Sequence, residues 1–120
     1  MNWDRGTVLW VDLNPAVGHE QGGVRPCVAI SDPAVTSDQR YPVITVVPVT
    51  ATPGEGALYP PLSPGSGGLA KQSYALIDQV RSIDKRRVRR VYGAISEEEL
   101  KTVDQGLELF LGLDGEELVS

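Results

Sequence analysis

SEEELKTVDQGLELFLG, residues 96–112, is the one long stretch of this 120-residue chain that carries the period of a helix. Ser96 and Glu99 stand in capping-box spacing, and acids fill the first turn, where the positive end of a helix dipole favours them. Leu100, Val103, Leu107, Phe110 and Leu111 recur at helical intervals, and Gly112 is placed to end the element. The spacing predicts one amphipathic helix over about 96–111. Gly106 inside it costs about 1 kcal/mol relative to alanine, which points to a close approach to a sheet.

Upstream of that helix the period changes. TVLWVDL (7–13), RPCVAIS (25–31), YPVITVVPVT (41–50), SYALIDQV (73–80) and RRVYGAI (89–95) are short β-branched or aromatic runs bounded by Gly, Pro, Asp and Ser, and each reads as a strand. Residues 51–72 are rich in proline and glycine and read as a long loop with room for a short strand at 58–62. Consecutive strands without intervening helices exclude a doubly wound nucleotide-binding fold. They predict an α+β, mainly β domain over 1–120: a small barrel or strongly curved antiparallel sheet closed by the C-terminal helix.

At 41% hydrophobic residues the chain can bury one core. It has no apolar run of 18 residues and reaches an arginine within MNWDRG, so neither membrane nor export is indicated and a cytoplasmic protein is expected. One cysteine, Cys27, excludes an internal disulfide, and one Cys with one His cannot build a zinc site from a single chain. Cys27 lies in an apolar strand pattern and reads as a buried structural thiol. The net charge of −5 is unevenly placed. Residues 96–120 carry −7 and residues 1–95 carry +2, with half of the latter's ten bases in KRRVRR (85–90). A basic surface that steers an anion and a merely solvated charge run both fit that distribution.

Strand alternation places Arg25 with Cys27 and Ala29, Thr50 at the end of the row Ile44, Val46 and Pro48, and Gln79 and Arg81 with Ile77. The strands thus end in polar residues beside loops, which suits a site, although an ordinary surface rim looks the same. The loop GHEQGGVRP (18–26) gathers the only histidine, an acid, a glycine pair and an arginine that Pro26 holds in extended backbone.

RGTVLWVDLNPAVGHEQGGVRPCVAIS, VVPVT, LIDQVRSIDKRRV and VDQGLELFLGL, in this order from Arg5 to about Leu113, resemble the MazF/PemK family of toxin–antitoxin ribonucleases. The resemblance implies an SH3-like barrel, a homodimer, no cofactor or metal, and cleavage of single-stranded RNA at short sequences. It also implies neutralisation by a cognate MazE-like antitoxin whose acidic C-terminal segment occupies the RNA groove.

The roles it implies are physically reasonable. Self-cleavage of RNA by 2′-hydroxyl attack needs a base for the 2′ proton, a cation for the phosphorane and a donor for the leaving oxygen. Arg25 falls at the catalytic arginine, whose planar guanidinium donates two hydrogen bonds to non-bridging oxygens. Thr50 would donate its hydroxyl to the same phosphate. Glu20 matches the family's acidic loop residue, a candidate base or simply an ion-pair partner. His19 stands where relatives carry Ser; it would contact RNA, serve as base, or be merely solvated. The base is therefore Glu20, His19 or water. Gln21, Gln79, Arg81 and Arg5 are the further expected RNA contacts. Gly18, Gly22 and Gly23 would let the loop act as a gate, Gly22 and Gly23 by adopting positive φ. Trp10 would stack a base or pack in the core or dimer, and Arg86 or Arg89 would pair with acids on the helix. A different class remains on the same barrel, a non-enzymatic toxin that binds DNA gyrase as the CcdB family does, against which EQGGVRP and the threonine of VVPVT discriminate.

Overall fold

The computed structural model describes residues 3–113. Seven strands, β1 (Thr7–Asp12), β2 (Val24–Ala29), β3 (Val43–Thr50), β4 (Pro61–Leu62), β5 (Ser73–Ala75), β6 (Arg81–Asp84) and β7 (Val88–Ala94), form one curled antiparallel half-barrel. The order is β4-β5-β3-β2-β1-β7, with β6 also on β3. A one-turn helix, α1 (Pro33–Thr36), follows β2, and α2 (Glu97–Leu111) closes the fold.

Alternating side chains of the central strands enter two separate cores, which is why these runs are apolar at every position rather than every second one. Val8, Val28, Val47 and Val49 pack with Ile77, Val103 and Leu107 under α2. Leu9, Val11, Cys27, Ala29 and Val46 point to the other side and pack with Ile44, Ile83 and Trp3. Trp3, to which its terminal position gave no predicted role, is 5% exposed and tied to α1 through the Thr36 hydroxyl, which accepts from its N–H and donates to its carbonyl.

The run 73–80 is not one strand. Val46 faces Arg81 and Val49 faces Ala75, so a three-residue step along β3 is matched by a six-residue step along its partner. The surplus is a 3-10 turn, Ile77–Gln79, lying opposite Pro48. The cause is local: Pro48 has no N–H to give to a ladder, and only its carbonyl is used, accepting from Leu76 N at 2.8 Å. Gln79 and Arg81 therefore do not share a strand row, and Gln79 is lifted out of the sheet plane.

Helix α2 starts as its sequence indicates: the Ser96 hydroxyl accepts from Glu99 N and the Glu99 carboxylate from Ser96 N, both at 3.1 Å. The same carboxylate accepts from Ser63 N at 2.8 Å and from the Ser66 hydroxyl, pinning the Pro/Gly loop to the helix end. Burial alone would raise the Glu99 pKa, but these hydrogen bonds outweigh it and the pKa is lowered. Gly112 ends the helix with φ 69°. Phe110 and Leu111 depart from expectation, being 38% and 53% exposed, because the apolar stripe outruns the sheet beneath it. Gly106 does mark a close approach, but to the loop and the 3-10 turn: a Cβ there would lie 2.8 Å from the Ala57 carbonyl oxygen and 3.0 Å from Ile77 Cγ1.

Candidate functional site

The loop between β1 and β2 is stiffened by its own polar groups. Asn14 N donates to Asp12 Oδ1 at 3.0 Å, and Gly23 N to Asn14 Oδ1 at 2.9 Å. The Glu20 carboxylate accepts from Val17 N at 2.7 Å, closing the turn that holds His19. Gly18 and Gly23 take positive φ, 59° and 76°. Gly22 does not, contrary to expectation; its need is room, since a Cβ would sit 3.0 Å from Ala16 Cβ and 3.1 Å from Asn14 Oδ1.

The predicted site residues fall into two cavities. Arg25 and Thr50 line one of about 380 Å³, with Trp10, Tyr92 and Lys71. His19, Glu20, Gln79 and Arg81 line another of about 330 Å³, with Asp78 and Val80. The backbone at 21–22 is held from both groups. Gln79 Oε1 accepts from Gln21 N at 2.7 Å, Gln79 Nε2 donates to His19 O at 3.1 Å, and Arg25 Nε donates to Gly22 O at 2.7 Å. Gln21 thus enters through its backbone amide, and Gln79, expected to contact RNA, spends both ends of its amide on the loop. Arg81 Nη1 likewise donates to Leu13 O at 3.2 Å. Gln79→Ala is expected to release the loop, so that Gln21 N–H exchanges with solvent at least about tenfold faster while amides of β1 and β2 do not change, measurable by native-state hydrogen exchange.

Arg5 stands apart from both cavities. Its Nη1 and Nη2 form a fork with Asp104 of α2 at 3.0 and 2.5 Å, and Nε donates to Ile30 O at 2.8 Å. That hydrogen bond to Asp104 is the main cause of its raised pKa. The side chain stitches helix to sheet, a use that only a three-dimensional neighbour 99 residues away could reveal. Arg5→Ala is expected to cost about 1 kcal/mol of stability, read as a lowered Tm in thermal denaturation.

The basic run is also largely committed. Lys85 Nζ donates to Val35 O and Asp38 O at 2.9 and 3.0 Å, and Arg87 donates to Asp12 O and Asn14 O. Arg86 and Arg89 pair with Asp84 and Asp12 rather than with helix acids. The hydrogen bonds from Arg86 hold the Asp84 carboxyl at about 2. Cys27, buried beneath Arg25, has its thiol pushed up to about 12 by desolvation, which leaves it an inert packing group. The residues that strand reading passed over are Tyr92, which counted only as a strand former, and Lys71, inside the Pro/Gly loop. Their signal was position in space, not pattern. Among the described residues no three His, Cys, Asp or Glu side chains group as metal ligands, and no helix is long and apolar enough to cross a membrane.

Comparison with known proteins places this fold. The crystal structure of MazF from Deinococcus radiodurans is 27% identical, with a TM-score of 0.80 over 93% of this chain and 98% of that one. A MazE–MazF structure from the same organism is 28% identical, with a TM-score of 0.74 over 94% and 98%. An endoribonuclease in complex with its cognate antitoxin from a mycobacterial species, 20% identical, shares the fold with a TM-score of 0.77 over 92% and 96%. The family model of the PemK-like, MazF-like toxin of type II toxin–antitoxin systems matches residues 4–111. With nearly the whole described chain spanned by that match, the protein belongs to the PemK/MazF-like toxin family.

Proposed function

We propose that the chain is an endoribonuclease that cleaves single-stranded RNA at short sequences without a divalent ion, as a homodimer restrained by a cognate antitoxin. The 2′ oxygen bonds to the neighbouring phosphorus as the 2′ proton passes to a base. The bond to the 5′ oxygen then breaks as that oxygen takes up a proton, leaving a 2′,3′-cyclic phosphate and a 5′-hydroxyl. The observation that carries this reading is the pairing of Arg25 with Thr50 on one cavity of nucleotide size. Among the described residues Arg25 commits only Nε, to Gly22 O, which leaves both terminal nitrogens for a phosphate. The Thr50 hydroxyl accepts from Thr52 N at 3.1 Å, which leaves its own proton to donate.

Glu20 lines the other cavity and caps Val17 N, so its direct use as base requires the 17–21 turn to move past Gly22. A water at Arg25 requires no such movement. Supporting the antitoxin is the Deinococcus relative, whose crystal structure is that of MazE–MazF. The test is primer-extension mapping on a long RNA in EDTA, with chemical analysis of the ends. Discrete cuts bearing cyclic phosphates are expected; 5′-phosphate ends, or cutting abolished by EDTA, would overturn the proposal.

A further inference from the structure

The Arg25–Thr50 cavity has an aromatic wall. Trp10 of β1 and Tyr92 of β7 meet edge to face, ring centroids 5.3 Å apart and planes at 72°. Tyr92 is 40% exposed and Trp10 half-buried. Among the described residues neither the indole N–H nor the phenol hydroxyl has a hydrogen-bond partner, although both groups ordinarily find one when they serve a core. The Arg90 guanidinium lies 5.4 Å from the Tyr92 centroid, making that ring the junction of an aromatic and a cationic surface. Gly68 lies against the root of that side chain: a Cβ there would stand 3.2 Å from Tyr92 Cβ and 3.6 Å from the Tyr92 carbonyl oxygen.

Lys71, on the same cavity, is exposed, and its ammonium has no hydrogen bond or ion pair among the described residues, only its backbone carbonyl being used, by the Ser73 hydroxyl at 2.9 Å. This separates it from the basic run, where Lys85, Arg86, Arg87 and Arg89 are all engaged within the fold. Cationic groups with donors to spare, the terminal nitrogens of Arg25 and Nζ of Lys71, thus meet at one cavity beside two aromatic rings. A flat π-face beside two phosphate-binding cations matches a nucleotide, not an apolar side chain or a lone anion.

We propose that Trp10 and Tyr92 form a stacking subsite for one unpaired base next to the phosphate held by Arg25 and Thr50, and that Lys71 binds an adjacent phosphate. This rests on the ribonuclease reading above. Stacking of this kind accepts any base, so the subsite contributes affinity and register while the sequence preference arises elsewhere.

The test uses the full chain with two probes: a cleavable single-stranded RNA, and the same oligonucleotide with 2′-deoxyribose at the scissile position, labelled for fluorescence anisotropy. Tyr92→Ala is expected to weaken binding of the deoxy probe and raise KM roughly ten- to a hundredfold, with kcat changed far less. Tyr92→Phe, which keeps the ring, is expected to restore binding to within a few-fold. Lys71→Ala should reduce the slope of log affinity against log salt by about 0.7, one phosphate contact on a single strand. Lys71 is exposed, so this variant reports even if Tyr92→Ala does not fold. Wild-type cleavage with unchanged KM and unchanged salt slope in the variants overturns the subsite. A wild-type protein that cuts no RNA overturns the ribonuclease reading instead, and the deoxy probe then judges the subsite by itself.

Discussion

Replacing Arg25 with alanine is expected to slow RNA cleavage by about a thousandfold or more while the protein remains folded. The magnitude follows from what a fixed guanidinium supplies to a phosphoryl transition state, for which losses of roughly 10³–10⁵ are usual. The folded state survives because Arg25 contributes a single side-chain hydrogen bond, to Gly22 O, and no ion pair among the described residues. Arg25→Lys separates two explanations. A lysine keeps the charge but loses the planar fork, so recovery of only a small part of the rate identifies bidentate geometry as the larger contribution. Single-turnover cleavage with circular dichroism on the same samples decides the matter. An alanine variant that folds and cuts within tenfold of the parent rate removes Arg25 from the chemistry.

The largest expected effect on stability lies at Gly67. Its φ of 56° is left-handed, which costs an L residue about 1–2 kcal/mol. A Cβ there would stand only 2.2 Å from Val8 Cγ2, and Val8 is fully buried. Forcing that contact adds about 1–3 kcal/mol of overpacking. Gly67→Ala is therefore expected to lose about 2–5 kcal/mol and roughly 10 °C or more in Tm. Val8→Ala removes the clashing methyl, so the double variant should be less destabilised than the sum of the two single ones, a coupling that urea denaturation can read. Additive losses would show that Val8 is not the obstacle. The 66–68 turn also carries Gly68 and leads into Leu69, which line the Arg25–Thr50 cavity, so the loosened protein should bind RNA less well even below its Tm.

What the chain revealed in advance was whatever its neighbours in sequence decide. Ser96 with Glu99, and Gly112, set the ends of α2 because caps are made within four residues of each other. The apolar runs placed β1, β2, β3 and β7 to within two residues because the pattern of burial is local. Arg25 and Thr50 were legible as polar ends of apolar strands, and they do share a cavity. What stayed hidden depended on distant partners. Pro48 broke the run 73–80 from across the sheet. Asp104 took Arg5 away from the loop, and carbonyls at Val35, Asp38, Asp12 and Asn14 absorbed cations that looked available. Glu20 and Arg25, five positions apart, face different cavities, the chain bending between them at Gly23.

The proline at position 48 has an effect beyond its own strand. By forcing an interruption where two sheet segments would otherwise fuse, it leaves three residues whose identity the ladder does not dictate, and one of them fastens the neighbouring hairpin. Variation at Asp78 and Gln79 can therefore retune how that hairpin is tethered while the hydrophobic interior is left alone. The architecture keeps its adjustable part outside its rigid part, so under the proposed ribonuclease reading a change of RNA target would need only the exchange of a few surface amides and carboxylates.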